Sequence, residues 1–182
     1  MHTIVREIIE KYLETKTLPA LESIKGFQKE LTWPTESSMI FVTLYHGGDI
    51  IASAGTIQPR HQDPREELLE STLSAMRDDR LMNAISEIND LKTTQIRVDV
   101  IPLSKRQVVA RITDINPKIH GAMILSQNYL KAAILLPNIT NIATTSDEIF
   151  FLLTKKAGLD PEKITTADYV LYKIESEKYS DF

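Results

Sequence analysis

The chain has 182 residues, of which 42% are hydrophobic and 25% charged, which supplies one sizeable core and predicts a single domain of one or two lobes. A formal net charge of −4 argues against a non-specific nucleic-acid binder, whose footprint is basic. There is no cysteine, which excludes disulfides, thiolate catalysis and zinc–thiolate or iron–sulfur ligation by these residues. No apolar run approaches the ~20 residues needed to span a bilayer, and the opening MHTIVREIIEKYLE is charged throughout and lacks an apolar signal core, so a cytoplasmic location is expected.

From the N-terminus, Ile4, Val5, Ile8, Ile9, Tyr12 and Leu13 recur at helical spacing with Glu7, Glu10, Lys11 and Glu14 opposite, which predicts an amphipathic helix. Thr17 to Lys25 reads as a second short helix ending at Gly26, and Phe27 to Ser38 as a loop. Two apolar runs, Met39–Tyr45 and Ile50–Ile57, then flank His46-Gly47-Gly48-Asp49. Gly-Gly between β-branched and aromatic runs predicts a tight hairpin, because such turns need positive φ. The second run carries small residues from Ala52 to Gly55, which permit a close approach to the backbone. Asp63-Pro64-Arg65-Glu66 predicts a helix start, with Asp63 as cap and Glu66 completing a capping box. The helix is expected to end near Arg77, before Asp78-Asp79-Arg80.

Gln95 to Ile101 alternates as a half-buried strand, with a turn from Pro102 to Arg106 and a partner strand from Gln107 to Ile112. Lys118–Leu125 and Tyr129–Leu136 read as two more strands around Ser126-Gln127-Asn128. Thr145-Ser146-Asp147-Glu148 is a capping box that opens a helix closed by Lys155-Lys156 and Gly158, and Tyr169 to Glu177 alternates again as a strand. Interspersed helices and hairpins predict an α+β fold with a mainly antiparallel sheet and flanking helices.

Several of these segments carry a family likeness. Phe41-Val42-Thr43-Leu44 and Ile50 to Thr56 resemble the hairpin signature of the AMMECR-type domain, also called AmmeMemoRadiSam system protein A, in which Phe-Val-Thr-Leu is followed by Leu-Arg-Gly-Cys-Ile-Gly-Thr. Ile51 stands in place of the motif Arg, Ala52 in place of Gly and Ser53 in place of Cys, while Gly55 and Thr56 match. Asp78-Asp79-Arg80-Leu81, Leu136-Pro137-Asn138-Ile139, Lys156-Ala157-Gly158-Leu159 and the closing Tyr172-Lys173-Ile174 resemble further family elements in order. The resemblance covers nearly the whole chain from Met39 onward, and it implies one AMMECR-type domain over residues 1–182 with two related structural halves. It also implies an association with MEMO-type and radical SAM partners in a modification pathway.

The candidate ligand-binding residues are Ser53, Gly55, Thr56, Asp78 and Arg80. Ser53 reads either as a nucleophile, which needs a base within hydrogen-bond reach, or as a small strand residue that permits close packing. Asp78, Asp79 and Arg80 read either as a charged cluster with Arg80 as an anion fork, or as an ion pair and cap that fixes the next segment. His2, His46, His61 and His120 lack the close pairing of helix-borne metal ligands, so no metal and no cofactor is expected, although His46 and His61 could approach one another in space. Three functions are compatible with these residues: a substrate-binding or accessory component that takes a small anionic ligand, an enzyme with its active site around the hairpin motif, or a nucleic-acid-associated regulator, which the charge disfavours.

Overall fold

A computed structural model describes residues 1–28, 32–84, 91–128, 130–137 and 143–182, with the backbone alone at 82–84. The chain divides into two compact units, Met1–Val100 with Glu177–Phe182, and Ile101–Ser176. The first holds α1 (His2–Thr15), β1 (Ser38–His46), β2 (Asp49–Gly55), α2 (Pro64–Ala75), α3 (Asp79–Ala84), most of β3 (Gln95–Pro102) and the last strand, β8 (Glu177–Ser180). The second holds β4 (Arg106–Val109), β5 (Gly121–Ser126), β6 (Ala132–Leu135), α4 (Ser146–Lys156) and β7 (Tyr169–Ile174). Each unit is built on a four-stranded sheet, in the orders β2-β1-β3-β8 and β4-β7-β5-β6. The fold is α+β and its sheets are mainly antiparallel.

The β1–β2 hairpin forms as its sequence requires. Gly47 and Gly48 adopt φ of 59° and 92° in a two-residue turn, and Phe41 pairs with Gly55 and Thr43 with Ser53. Ile40, Val42 and Leu44 point into the first core with Ile96, Val98 and Val100 of β3 and with Ile4, Val5, Ile8 and Ile9 of α1. At Gly55 the strands meet so closely that a Cβ would lie 2.4 Å from Phe41 Cδ1 and 2.5 Å from the Ile40 carbonyl oxygen. A side chain there would need a strand to move, not merely a rotamer.

Charged groups fasten the ends of this unit. Arg6 on α1 donates to Asp181 (2.7 Å), to the Thr94 carbonyl (2.8 Å) and to the Leu91 carbonyl, while Asp181 accepts the Ile96 N–H at 2.8 Å. On β3, Arg97 and Asp99 form a bidentate pair at 2.6 and 2.7 Å with side chains only 9% and 0% exposed. Burial by itself would lower the Arg97 pKa, but the Asp99 carboxylate and Tyr45 outweigh it and hold the guanidinium charged.

In the second unit, one face of the sheet carries Ala122, Ile124, Ala133 and Leu171 onto Ile149 and Leu153 of α4. The Thr145–Glu148 capping box opens α4, and Gly158, at φ 67°, closes it in a Schellman turn whose bonds run from Gly158 N–H to Lys155 and from Leu159 N–H to Thr154.

Some pairings differ from the sequence reading. The strand after the turn at Pro102–Arg106 is not the partner of β3, because β4 pairs with β7 in the second sheet and β3 pairs with β8 in the first. The single strand expected over Tyr169–Glu177 is two, one in each sheet. Alternation fixes which residues face a core but not which strand lies alongside, and partner choice comes from burial of non-local surface. The expected helix at Thr17–Lys25 is a pair of short 3-10 turns at Leu21–Ser23 and Lys25–Gln28, the second held by Glu7, which accepts the Lys25 and Gly26 N–H groups at 2.7 and 2.9 Å. Asp63 caps α2, but Glu66 turns to His61 and does not complete the box. Part of the Phe27–Ser38 loop (29–31), Tyr129 at the start of its expected strand, and Asn138 and Ile139 lie outside the described residues.

Two outcomes are expected in chemical denaturation. Gly55→Ala lowers stability by about 1–3 kcal/mol, because overpacking forces the hairpin apart. Asp99→Ala lowers it by roughly 3–5 kcal/mol by removing the carboxylate that neutralises a buried guanidinium, whereas the double change Arg97→Met with Asp99→Leu costs far less.

Candidate functional site

In the first sheet β2 is an edge strand, so alternate backbone groups face away from β1. One of these, the Ser53 N–H, is 3.4 Å from Asp78 Oδ2. The Ser53 side chain turns to β1, where its Oγ lies 3.1 Å from Thr43 Oγ1. Two directly opposed hydroxyl residues fit a non-hydrogen-bonded antiparallel pair, in which side chains come closest.

Asp78 ends the turn after α2 and caps α3, accepting the Arg80 N–H at 3.1 Å. The Arg80 side chain folds back over it, with Nε 2.9 Å from Oδ1 and Nη2 2.6 Å from Oδ2. The Asp78 side chain is 19% exposed and that of Arg80 56%, so the carboxylate is sheltered while more than half of the arginine side chain is open to solvent. The Arg80 hydrogen bonds, joined by the two backbone N–H donors and opposed by partial burial, lower the Asp78 pKa to about 2. One carboxylate thus seals the β2 edge, starts α3 and orients an arginine.

The segment after β2 is organised by a second carboxylate. Glu67 on α2 is buried, and accepts the Thr56 hydroxyl together with the backbone N–H groups of Arg60 (2.9 Å) and His61 (3.1 Å). His61 lies between Glu66 Oε2, 3.0 Å from Nδ1, and Glu70 Oε2, 2.6 Å from Nε2.

Of the candidate residues, Ser53, Asp78 and Arg80 come together in a chain of hydrogen bonds at the β2 edge. Gly55 is spent on packing against Phe41, and Thr56 is bound to Glu67. Asp78 and Arg80 adopt the cap-and-ion-pair arrangement, yet the arginine side chain stays largely exposed. Sequence reasoning missed Thr43 and Glu67: counting back from the Gly47-Gly48 turn puts Thr43 opposite Ala52, and only the register shift between Leu44 and Tyr45 brings it to Ser53, while Glu67 had no signal because its partners lie on a loop of irregular backbone. His46 Nδ1 is 3.5 Å from Thr93 Oγ1 while His61 is held by α2, so the two histidines do not share a partner. Among the described residues no three His, Asp or Glu side chains are arranged to hold a metal ion, and no helix is long and apolar enough to cross a membrane.

Comparison with known proteins agrees with this architecture. The family model AMMECR1 matches residues 2–179, and the chain belongs to that family. It is 26% identical over 170 residues to Protein CA_C1420 of Clostridium acetobutylicum; the match covers 93% of this chain and 33% of that protein, so the chain spans about a third of that relative's length. The crystal structure of the uncharacterized protein PH0010 from Pyrococcus horikoshii superposes with a TM-score of 0.77 at 19% identity, covering 98% of this chain and 88% of its own, which shows a shared fold.

The depressed Asp78 carboxyl has a pH signature. Its contribution is fully present above the ordinary carboxylate range and is lost as pH falls through about 2. In thermal melts the stability gap between the wild type and Asp78→Asn should therefore be largest near neutrality and shrink steadily below about pH 4.

Proposed function

We propose that this domain binds a small anionic ligand at the β2 edge, through Arg80 and Ser53, and serves as a substrate-binding or accessory component of a modification pathway with MEMO-type and radical SAM partners. The observation that carries this reading is the setting of Ser53. Its hydroxyl faces another hydroxyl, Thr43 Oγ1, at 3.1 Å. A serine nucleophile needs a base that accepts its proton, and a useful base has a pKa near the working pH. The carboxylate beside Ser53 is that of Asp78, which is held at about 2 by Arg80 and meets the backbone N–H instead of the hydroxyl. These are the features of a binding surface.

Arg80 supplies the recognition chemistry. Asp78 occupies Nε and Nη2 on one edge of the fork, and among the described residues Nη1 has no partner. A planar guanidinium carries five N–H donors, so a carboxylate or phosphate can take the outer edge while Asp78 keeps the inner one. Asp78 also fixes the guanidinium before the ligand arrives, which lowers the ordering cost of binding. The accessory role draws support from the family resemblance, and from the relative in which this chain corresponds to 33% of a longer protein. The whole chain acts here as one AMMECR-type domain.

Calorimetric titration with inorganic phosphate and with citrate provides the test. Arg80→Ala should weaken binding tenfold or more, since a hydrogen bond to a charged group contributes about 1.5–3 kcal/mol. Ser53→Ala should cost less than that, in line with about 0.5–1.5 kcal/mol for one neutral hydrogen bond. The reading fails if neither anion binds the wild-type protein, or if Ser53→Ala abolishes a measurable turnover that Arg80→Ala leaves intact.

A further inference from the structure

We propose that His61 is a pH-operated clasp that fastens the segment from Thr56 to Asp63, the connection between the strand carrying Ser53 and α2. The clasp is independent of ligand binding at Arg80.

Glu66 and Glu70 stand four residues apart on one face of α2, with the imidazole of His61 between them. Nδ1 is 3.0 Å from Glu66 Oε2 and Nε2 is 2.6 Å from Glu70 Oε2. An imidazolium has an N–H on each nitrogen and satisfies both carboxylates at once. A neutral imidazole has one N–H and one lone pair, so whichever tautomer forms, a lone pair points at a carboxylate and one of the two contacts becomes repulsive. The geometry therefore suits the charged ring and opposes the neutral one.

The charges around the ring are those of Glu66, Glu67 and Glu70 from α2, and of Arg60 from its own segment, which is ion-paired with the other oxygen of Glu70. Arg77 lines the same pocket from beyond α2, and the stretch after α1 contributes the apolar Leu18. The Glu70 hydrogen bond leads the other carboxylates in raising the His61 pKa above 6.5, against a smaller opposing effect of burial. The Glu70 pKa is lowered in turn, chiefly by His61, so the acceptor stays charged. The clasp is therefore fully closed below the ordinary histidine value and is lost as pH rises through the raised one.

Release has a defined extent. Glu67 still holds the backbone at Arg60 and His61, and Asp63 still caps α2, so it is the ring that leaves its seat. His61 forms part of the lining of a pocket of about 370 Å³ with Leu18, Leu69 and Leu73. An open clasp widens that pocket and removes one of the segment's ties to α2, while those of Glu67 at Thr56, Arg60 and His61 remain.

The test is an NMR titration of the intact protein from about pH 5.5 to about 9, tracking the histidine ring signals and the backbone amides of Thr56 to Asp63. His61 should titrate above its ordinary value, with the amides shifting and broadening along the same curve. Glu70→Gln should lower the His61 midpoint towards its ordinary value, since the Glu70 hydrogen bond is the largest cause of its rise, with Glu66→Gln as the second variant should the first fold poorly. In His61→Gln, circular dichroism should show the fold retained while the segment loses its pH response. The proposal is overturned if His61 titrates at or below its ordinary value, if the amides ignore its titration, or if His61→Gln keeps the wild-type profile.

Discussion

The close contact of β1 and β2 at Gly55 governs the geometry of the whole hairpin and of the polar groups along its open edge. Because a Cβ there would run into both the Phe41 ring and the Ile40 carbonyl, the strands can come together at this depth only with glycine at this position. The two-residue Gly47-Gly48 turn closes the other end, and a register shift between Leu44 and Tyr45 separates the pairs beside the turn from those near Gly55. With Phe41 opposite Gly55, Thr43 must fall opposite Ser53, and a one-residue slip would send every side chain of β2 to the wrong face. That register puts the Ser53 hydroxyl on Thr43 and its N–H on the open edge, where Asp78 meets it. The motif glycine thus acts through packing, and the polar contacts of the neighbouring residues are its consequence.

Carboxylates recur throughout the chain as backbone acceptors. Glu7 takes the N–H groups of Lys25 and Gly26, Glu67 those of Arg60 and His61, Asp78 those of Ser53 and Arg80, and Asp181 that of Ile96. Each joins irregular backbone to a helix or strand that could not otherwise satisfy it, and unsatisfied N–H groups are costly away from water. The net charge of −4 is therefore a poor guide to an acidic surface, since several of these acids are structural caps whose charge is met by fixed donors. Of these, Asp78 is held well below the ordinary carboxylate range, so acid that protonates it removes the cap of α3 and its tie to β2.

The replacement of the family's Cys by Ser53 and of its Arg by Ile51 acquires meaning in this setting. A serine hydroxyl both donates and accepts, and so pairs with Thr43 across the strands. The nearest arginine bound into the same network is Arg80, from a different element, oriented by Asp78. Guanidinium chemistry is thus present beside Ser53 without an arginine on the strand itself.

The sequence by itself determined the elements whose signals are local. Gly47-Gly48 required a tight turn because only positive φ closes it, Thr145 and Glu148 marked a helix start because they satisfy each other's backbone donors, and apolar spacing in the first fourteen residues marked the face of α1 that is buried. The family, too, was readable from motif order. Only the tertiary structure decided that β4 lies beside β7 and β3 beside β8, since alternation records a face and not a neighbour. It alone put Asp78 against the Ser53 N–H, 25 residues away, and His61 between Glu66 and Glu70. Contacts of that kind depend on where a folded chain returns, which is set by the burial of distant apolar surface and leaves no mark in the spacing of the residues that meet.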